Sequence, residues 1–594
     1  MKSASLFLVF LLAKMAMVWG HSVPLSGWSL VAYVWQDALV ALAFAAFDFA
    51  LQRIGSPARI AWTVYWAAAI YSVINISVGR AVSTPLTRPM LRAARGPLTD
   101  SMQLYVTPAN VLLMLSVLAA AAACPWLLKR LLKRLLKQVP PRLTQIAAAS
   151  AVAGAIMAVT LGPVASRRID MRGMDRNVIT ALIGDGLPRV PDRFPSVDWR
   201  ASQFTAEGAS EDLSRLSGIA RGRNVVMVGL ESTAAQYLAI YGSGIDVTPN
   251  LSALARQALV FDNAYAVYPE SIKGLFSILC STFPAFDSRP EDYENLEWRS
   301  VAAVLAGAGY RTAMFHSGRF GYLGMESIVG HSGFETLEDA GDIGGNHNSS
   351  FGVDEPATVS RMLAWIDALP RGQHFFLTYL PIAGHHPYAT PEPGPFDGTS
   401  EINQYRNALH YGDVSLGALI DGLRKRGFEE NTVWVIYGDH GEAFHQHEGN
   451  YGHTFFLYEE NVHVPFLIAA PGLMRKQERV RKVVSLVDTA PTILDLAGIP
   501  APANFQGRTM LDGAPRMALF FADYSLGLLG LRDGPWKFVY EIGSGRQRLF
   551  DLERDPREMS DLSAAEGART SWYGEVVRAW SSQQKSYIAR SAVR

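Results

Sequence analysis

The stretch VWVIYGDHGEAFHQHEGNYGHTFFLYEENVHVP, from Val433 to Pro465, decides how the rest of this chain is read. It opens on an apolar run, Val433–Tyr437, with the length and β-branched character of a parallel strand buried on both faces. Gly438, Asp439, His440, Gly441 and Glu442 follow at once, so a carboxylate and an imidazole stand at a strand's carboxyl end. Open α/β sheets carry their sites at that edge, because the loops leaving it are free to hold function. Asp439 and His440, adjacent on one turn, can share a divalent cation, and the later His445, His447 and His453 can reach back to an anion bound there. The alternative is a solvated polar loop, which four histidines in so short a segment disfavour.

Upstream, Asn224–Leu230 (NVVMVGL) is a second buried strand, and Glu231 ends it. A carboxylate there suits a metal ligand; the alternative is a helix start capped by Ser232 or Thr233. A helix over Pro249–Ala258 and a strand over Leu259–Phe261 then complete a βαβ-like unit. In VYPESIKGLFSILCSTFP, Val267 to Pro284, the stripe Ile272, Leu275, Phe276 and Leu279 marks a helix that begins near Ser271. Ser271 is either the N-cap or a nucleophile held at the helix N-terminus, where exposed amides and Lys273 would stabilise an alkoxide and an incoming anion. With Glu231 before it and Asp439-His440 after it, the nucleophile reading is preferred. Further strands are expected at Tyr310–Phe315, Phe375–Leu380 and Phe466–Ala470. The second runs into PIAGHHPYATP, placing His385 and His386 where they could bind an anion or protonate a leaving group. Asp354, in FGVDE, is a candidate for holding a substrate hydroxyl.

The N-terminal part is of a different kind. The chain has 594 residues, 54 basic and 54 acidic, so its zero net charge gives no ground for a nucleic-acid partner. A mean hydropathy of +0.10 and 49% hydrophobic residues indicate a membrane protein with a water-facing part. Apolar segments at about 4–20, 29–51, 60–79, 109–128 and 144–163 each approach the ~20 residues that span a bilayer, although Lys14 interrupts the first, which could instead be a signal peptide. The acid-free loop from Lys129 to Arg142, with Arg53 and Arg59, fixes the cytoplasmic side, which puts everything beyond about 165 outside. Arg80, Arg88, Arg92 and Arg95 fall on the outer side against that rule, and lipid phosphates of the outer leaflet are their expected partners. Asp37 and Asp48, eleven residues apart in the second segment, share a helix face. The expected division is a transmembrane domain at 1–165, a juxtamembrane linker at 166–222 and an extracytoplasmic catalytic domain at 223–594. Cys124 and Cys280 lie in different parts, so no disulfide is expected.

Taken in order, NVVMVGLES, TPNLSALARQALVFDNAY, GYRTAMF, HHPY, YGDHGE, YEENVHVPFLIAAPG, VDTAPTILDLAGIP and LFDLERDPREMSDL resemble the sulfatase-like branch of the alkaline phosphatase superfamily over about 222–565. The resemblance implies an α/β fold: a mostly parallel sheet between helices with a small C-terminal subdomain, here after about five membrane helices. Lipoteichoic acid synthases and phosphoethanolamine transferases share that plan. By motif position their metal ligands correspond to Glu231, Ser271, Asp439 and His440, and their phosphate-binding or proton-donating histidines to His385 and His453.

Two departures bear on the chemistry. Those transferases usually carry Thr where this chain has Ser271, and Ser271-Ile272-Lys273-Gly274-Leu275 lacks the Pro and Arg with which sulfatases form their aldehyde. The expected function is therefore a membrane-anchored phosphotransferase at the outer face of a bacterial cytoplasmic membrane. It would move a phospholipid headgroup, of phosphoglycerol or phosphoethanolamine type, through a phosphoserine to an envelope glycan or lipid. Ser271, Lys273, His385 and His453 would be catalytic, Mn²⁺ or Zn²⁺ would sit on Glu231, Ser271, Asp439 and His440, and His386, His447 and Asp354 would bind substrate. The alternatives are a sulfuric or phosphoric ester hydrolase, favoured by the LFDLERDPREMSDL tail, and a non-catalytic scaffold, which would hold no metal.

Overall fold

The computed structural model describes all residues except 94–104, 139, 185–186, 192–193, 195–196, 201, 203–210, 295–297, 348–350 and 592–594. Apolar runs become the strands of one large sheet: β1 (Asn224–Leu230), β2 (Ala258–Tyr265), β3 (Arg311–His316), β4 (Thr336–Glu338), β5 (Phe375–Leu380) and β6 (Thr432–Gly438). A two-residue pair, β7 (Ala443–Phe444) and β8 (Tyr451–Gly452), stands apart, and β9 (His463–Ala469) and β10 (Glu478–Ser485) complete the large sheet. Its order is β10-β2-β9-β6-β1-β5-β3-β4. Only β9 runs against its neighbours β2 and β6; the other pairings are parallel. The expected βαβ-like unit is corrected here. β1 and β2 are not neighbours, because β6 and β9 are inserted between them.

Alternation along each strand divides the core into two layers. Val225 and Met227 face the layer containing Leu275, Leu279 and Ile493, whereas Val226 and Val228 face Leu251, Met362 and Leu416 on the other side. Each such buried side chain contributes about 1.5–3 kcal/mol. A four-stranded antiparallel sheet, β11 (Met517–Ala522), β12 (Leu528–Asp533), β13 (Trp536–Glu541) and β14 (Gln547–Asp551), follows, with helix Gly567–Ser591 packed on it through Tyr573, Val576, Val577 and Trp580.

In the N-terminal region, helices Ser29–Arg53, Ala58–Val82, Pro108–Arg134 and Gln145–Arg168 are long and apolar enough to cross a membrane. The first expected span is the 17-residue helix Lys2–Val18, which is not among these four but packs against Ala69, Val73 and Val117 of its neighbours. Lys14 reaches Asp37 at 2.5 Å and Lys2 reaches Asp48 at 2.7 Å, so each acid of helix Ser29–Arg53 is paired with a lysine of the antiparallel first helix. The basic segment from Lys129 is not a loop: helix Pro108–Gln138 continues through it. The opposite end of the bundle touches the large α/β body. His21 meets Glu448 at 3.0 Å, Thr84 meets Ser525 at 2.5 Å, and the rings of Tyr105 and Tyr451 stand edge to face. Arg80 donates to the carbonyl of Ala16, and Arg95 lies outside the described residues.

Candidate active site

The sheet register brings the site together. Leu230 of β1 is paired with Gly438 of β6, so Glu231 and Asp439 leave the sheet side by side. His316 ends β3 opposite Leu380 at the end of β5, and His385 and His386 follow from there. All these groups therefore stand at carboxyl ends of adjacent strands. Gly441 lets the loop after β6 turn beneath its neighbour, since a Cβ at this position would lie 2.0 Å from the carbonyl oxygen of Glu460.

Ser271 is the first residue of helix Ser271–Cys280. The cap is Glu270, whose carboxylate accepts from the Lys273 amide at 3.4 Å, and this leaves the Ser271 hydroxyl free to face the strand ends. Ser271 Oγ donates to Glu231 Oε2 at 3.0 Å and lies 3.3 Å from His440 Nε2. His440 Nε2 is 3.6 Å from Glu231 Oε1 and 3.6 Å from Asp439 Oδ2. Asp439 Oδ1 is committed to the amides of Ser232 (3.0 Å) and His440 (2.8 Å), so its other oxygen faces the cluster. Through Nδ1–H, His440 donates to the Gly441 carbonyl at 3.0 Å, which leaves the Nε2 lone pair toward Ser271.

These residues fit a divalent cation. Glu231, Asp439 and His440 are buried and offer ligand atoms within 4.8 Å of one another. A backbone carbonyl fixing the far nitrogen of the imidazole is the usual support for a metal-binding histidine. Burial, and then the neighbouring Asp439, push the Glu231 carboxyl well above its ordinary value. Two buried carboxylates this close stay ionised together only with a cation between them.

His453 and Glu442 form the second part of the site. Glu442 Oε2 accepts from His453 Nδ1 at 2.6 Å, and its other oxygen accepts from Tyr388 Oη at 2.7 Å. The His453 ring lies 4.1 Å from that of His440, centroid to centroid. Burial works against its charge, but Glu442, Glu231 and Asp439 together outweigh burial and raise His453 to about 9. Burial likewise raises the Glu442 carboxyl, but the facing His453 more than offsets it and holds Glu442 below its ordinary value. His385 is the opposite case. Its Nδ1 bonds to the His386 carbonyl at 2.7 Å, its ring packs on Phe351, and burial drives it down to about 3.

Other expected site residues are placed elsewhere. The Lys273 ammonium turns away to Asp523 at 2.6 Å and lies over the Tyr268 ring, tying the helix to the strand-end after β11. That pairing replaces the expected role on an alkoxide. His447 has both ring nitrogens engaged, by Glu460 at 2.6 Å and the Arg557 carbonyl at 2.8 Å, and its ring stacks on Tyr458, so no nitrogen is left for substrate. Asp354 precedes helix Glu355–Asp367, where its carboxylate accepts from the Asn346 amide at 2.8 Å and holds that loop. His386 lines the site cavity. Sequence reasoning missed Glu442, Glu270 and His316. Glu442 stands inside the quoted DHGE motif and His316 at a strand's carboxyl end, so both carried a positional signal; Glu270 carried none.

A cavity of about 320 Å³ opens from this cluster. One arm is polar, with Glu231, Ser271, His385, His386 and His453. The other is apolar and comes from the membrane-helix region: Val78, Ala81 and Val82 at the end of helix Ala58–Val82, then Leu86, Met90 and Ala93.

A hydroxyl, two carboxylates and an imidazole thus converge at the carboxyl edge of a mostly parallel sheet. The family model described as Sulfatase matches residues 223–499, so the protein carries a sulfatase domain over this stretch. It is 25% identical over 362 residues, 55% of each chain, to lipoteichoic acid synthase 2 of Bacillus subtilis (strain 168). It is 24% identical over 440 residues to an arylsulfatase of Clostridium perfringens (strain 13 / Type A), covering 58% of this chain and 90% of that one. A protein in the alkaline phosphatase superfamily from Vibrio parahaemolyticus superposes with a TM-score of 0.54 at 19% identity, covering 68% of this chain and 94% of its own. The chain spans about half the length of the lipoteichoic acid synthase relatives it matches.

Proposed function

We propose that the protein is a membrane-anchored transferase that moves a phospholipid headgroup through a covalent phosphoserine at Ser271 to a cell-envelope glycan or lipid. The observation that carries this reading is the two-armed cavity, which offers an ionic cluster for a phosphate and, continuous with it, an apolar wall supplied by the end of a membrane helix. A cavity of this size and mixed lining suits a lipid phosphodiester better than a sugar sulfate, which has nothing to place against Val78, Ala81 and Val82. The relatives named as lipoteichoic acid synthases support the same reading.

Glu231, Asp439, His440 and the Ser271 hydroxyl would hold a divalent cation. Two carboxylates, a hydroxyl and a single imidazole suit Mn²⁺ or Zn²⁺. A bound dication supplies ionisation of a hydroxyl in contact with it and charge stabilisation at phosphoryl oxygens. The chain's own residues do the rest. Ser271 Oγ, presented by the helix N-terminus and acting as the alkoxide after releasing its proton to solvent on ionisation, forms the bond to phosphorus as the bond to the glycerol oxygen breaks. His453, held by Glu442 at Nδ1 and charged at neutral pH, gives its proton to the departing diacylglycerol oxygen. Neutral His385 contributes a polar wall for the phosphoryl group. In the second half an acceptor hydroxyl attacks the phosphoserine, its proton returns to His453, and Ser271 Oγ leaves.

The catalytic domain would face away from the cytoplasm of a bacterial cell, since it meets the bundle at the end opposite the basic continuation of helix Pro108–Gln138. The arylsulfatase match favours a second reading, hydrolysis, in which water takes the acceptor's place. The test is intact mass of the full-length protein after exposure to bacterial phospholipids. A headgroup-phosphate adduct on Ser271, discharged by an acceptor, is expected. An aldehyde at position 271, or release to water alone with any acceptor supplied, overturns the transferase.

A further inference from the structure

We propose that a second cleft, across the Ser271 helix turn from the catalytic cavity, binds the acceptor as a phosphate-bearing molecule distinct from the donor lipid; this rests on the transferase reading above. The cleft is lined by Arg88, Arg92, Arg189 and Arg289, with Lys273 and Tyr524 among its walls. Glu270, Ile272, Leu323 and Tyr524 line both this cleft and the catalytic cavity and form a partition between them.

The arginines differ in how far they are committed. Arg189 is bound to Asp287 and to the carbonyls of Asp523 and Ser525, and Lys273 to Asp523. Arg289 pairs with Asp292 at 3.3 Å. Among the described residues Arg88 uses only Nε, on the Leu182 carbonyl at 3.2 Å, and its two terminal nitrogens have no partner there. Arg92 has no hydrogen bond or ion pair among the described residues. Both sit on the short helix Arg88–Ala93, just past a membrane-crossing segment. These are the arginines that break the charge rule for outward loops. They line a cleft shared with the α/β body, and a planar guanidinium with free terminal nitrogens is the side chain best matched to a phosphodiester. An acceptor held here by its phosphate would reach past Glu270 and Tyr524 to bring a hydroxyl to the phosphoserine. The new bond joins that hydroxyl oxygen to phosphorus, the bond to Ser271 Oγ breaks, and the acceptor's proton passes to His453.

The test uses full-length protein in nanodiscs, carrying Ser271→Ala so that binding is read without turnover. Glycerophosphoglycerol, a phosphodiester without acyl chains, is titrated calorimetrically, with inorganic phosphate as the comparison. Two equivalents are expected, one in each cavity, with the second weakened at least tenfold by Arg88→Gln/Arg92→Gln and by Arg92→Glu alone. Unchanged binding of both equivalents in these exposed-residue variants overturns the proposal. Equal affinity of the second site for inorganic phosphate also overturns it, because the cleft is then a general anion site. Failure of the transferase reading shows separately, as the absence of a Ser271 adduct in the unsubstituted protein.

Discussion

Changing Glu442 to Gln removes one charge while keeping the shape of the side chain, and it tests the division of labour between the two buried histidines. Glu442 lies 2.6 Å from His453 Nδ1 and is the largest influence opposing burial at that ring, which stands at about 9. Glu231 and Asp439 add to it, but a cation held between those two carboxylates neutralises their share, leaving Glu442 as the support that matters. A glutamine carbonyl can still accept from Nδ1–H, so the ring keeps its orientation and loses its charge partner, and its pKa falls toward the ordinary 6.5 or below. An acid with pKa near 9 is roughly 99% protonated at pH 7 and 90% at pH 8, whereas one at 6.5 is roughly 24% and 3%. With the share of Glu231 and Asp439 removed by the cation, the unsubstituted value lies below 9, so for a fall to 6.5 a loss of about fourfold at pH 7 and about thirtyfold at pH 8 is the upper bound. The assay is the rate of headgroup loading onto Ser271 by intact mass across pH 6–10. Because the group acts as an acid, the rate falls as pH rises through its pKa, and in Glu442→Gln that alkaline limb should move to lower pH, toward 6.5. An unmoved limb, or a loss that is the same at every pH, would refute His453 as the proton donor.

Ser271→Ala should give no covalent adduct while retaining bound divalent ion, read by mass and by elemental analysis on one sample. Glu231→Ala and Asp439→Asn should each lose that ion, and full metal content in both would remove the proposed centre. Lys273→Met leaves the buried Asp523 carboxylate unpaired and should destabilise the fold by about 3–5 kcal/mol in thermal or denaturant melts, with much of the loss recovered in Lys273→Met/Asp523→Leu. Burial raises Asp523, but Lys273, with Arg189 and Tyr268, outweighs it and holds the carboxyl below its ordinary 3.8, so this contribution is complete above about pH 4 and disappears as pH falls through the depressed value. Ala81→Trp should fill the apolar arm of the cavity, raising KM for long-chain phospholipid severalfold and for a dibutyryl analogue much less; an equal effect on both would count against a lipid in that arm.

What could be read from the sequence, and what could not, divides by range. The buried strands were legible because seven- and six-residue apolar runs such as Asn224–Leu230 and Phe375–Leu380 carry their own signal, and the polar residues just beyond them lie at the sheet edge by geometry alone. The neighbour of each strand was not legible. β9 separates β2 from β6, pairing with β6 across about thirty residues but with β2 across some two hundred, which no local pattern encodes. The same limit explains Lys273 and His447. Both stand beside the motif in sequence, but their directions are set by Asp523 and Glu460, groups on other elements. Ser271 was misplaced by one position as a possible cap because the cap is Glu270, a residue type that helix starts do not favour there.

The membrane helices show how a charge that disturbs a one-dimensional pattern is resolved in three dimensions. Lys14 interrupts an apolar run and Asp37 lies within another, and read separately each is an anomaly in a bilayer. Together, at 2.5 Å, with Lys14 also donating to the carbonyls of Tyr33 and Asp175 and Asn177 donating to Asp37, they form one satisfied node. Asp175 and Asn177 belong to the segment that leaves the last membrane helix, and Arg546 and Arg548 of the C-terminal sheet pair with Asp170 in that same segment. One segment, 170–177, is therefore tied by polar contacts to the helix bundle at one end and to the C-terminal sheet at the other. Val78, Ala81 and Val82 can line the same cavity as Ser271 only if bundle and sheet are held in one register, and these contacts are ones that hold them so.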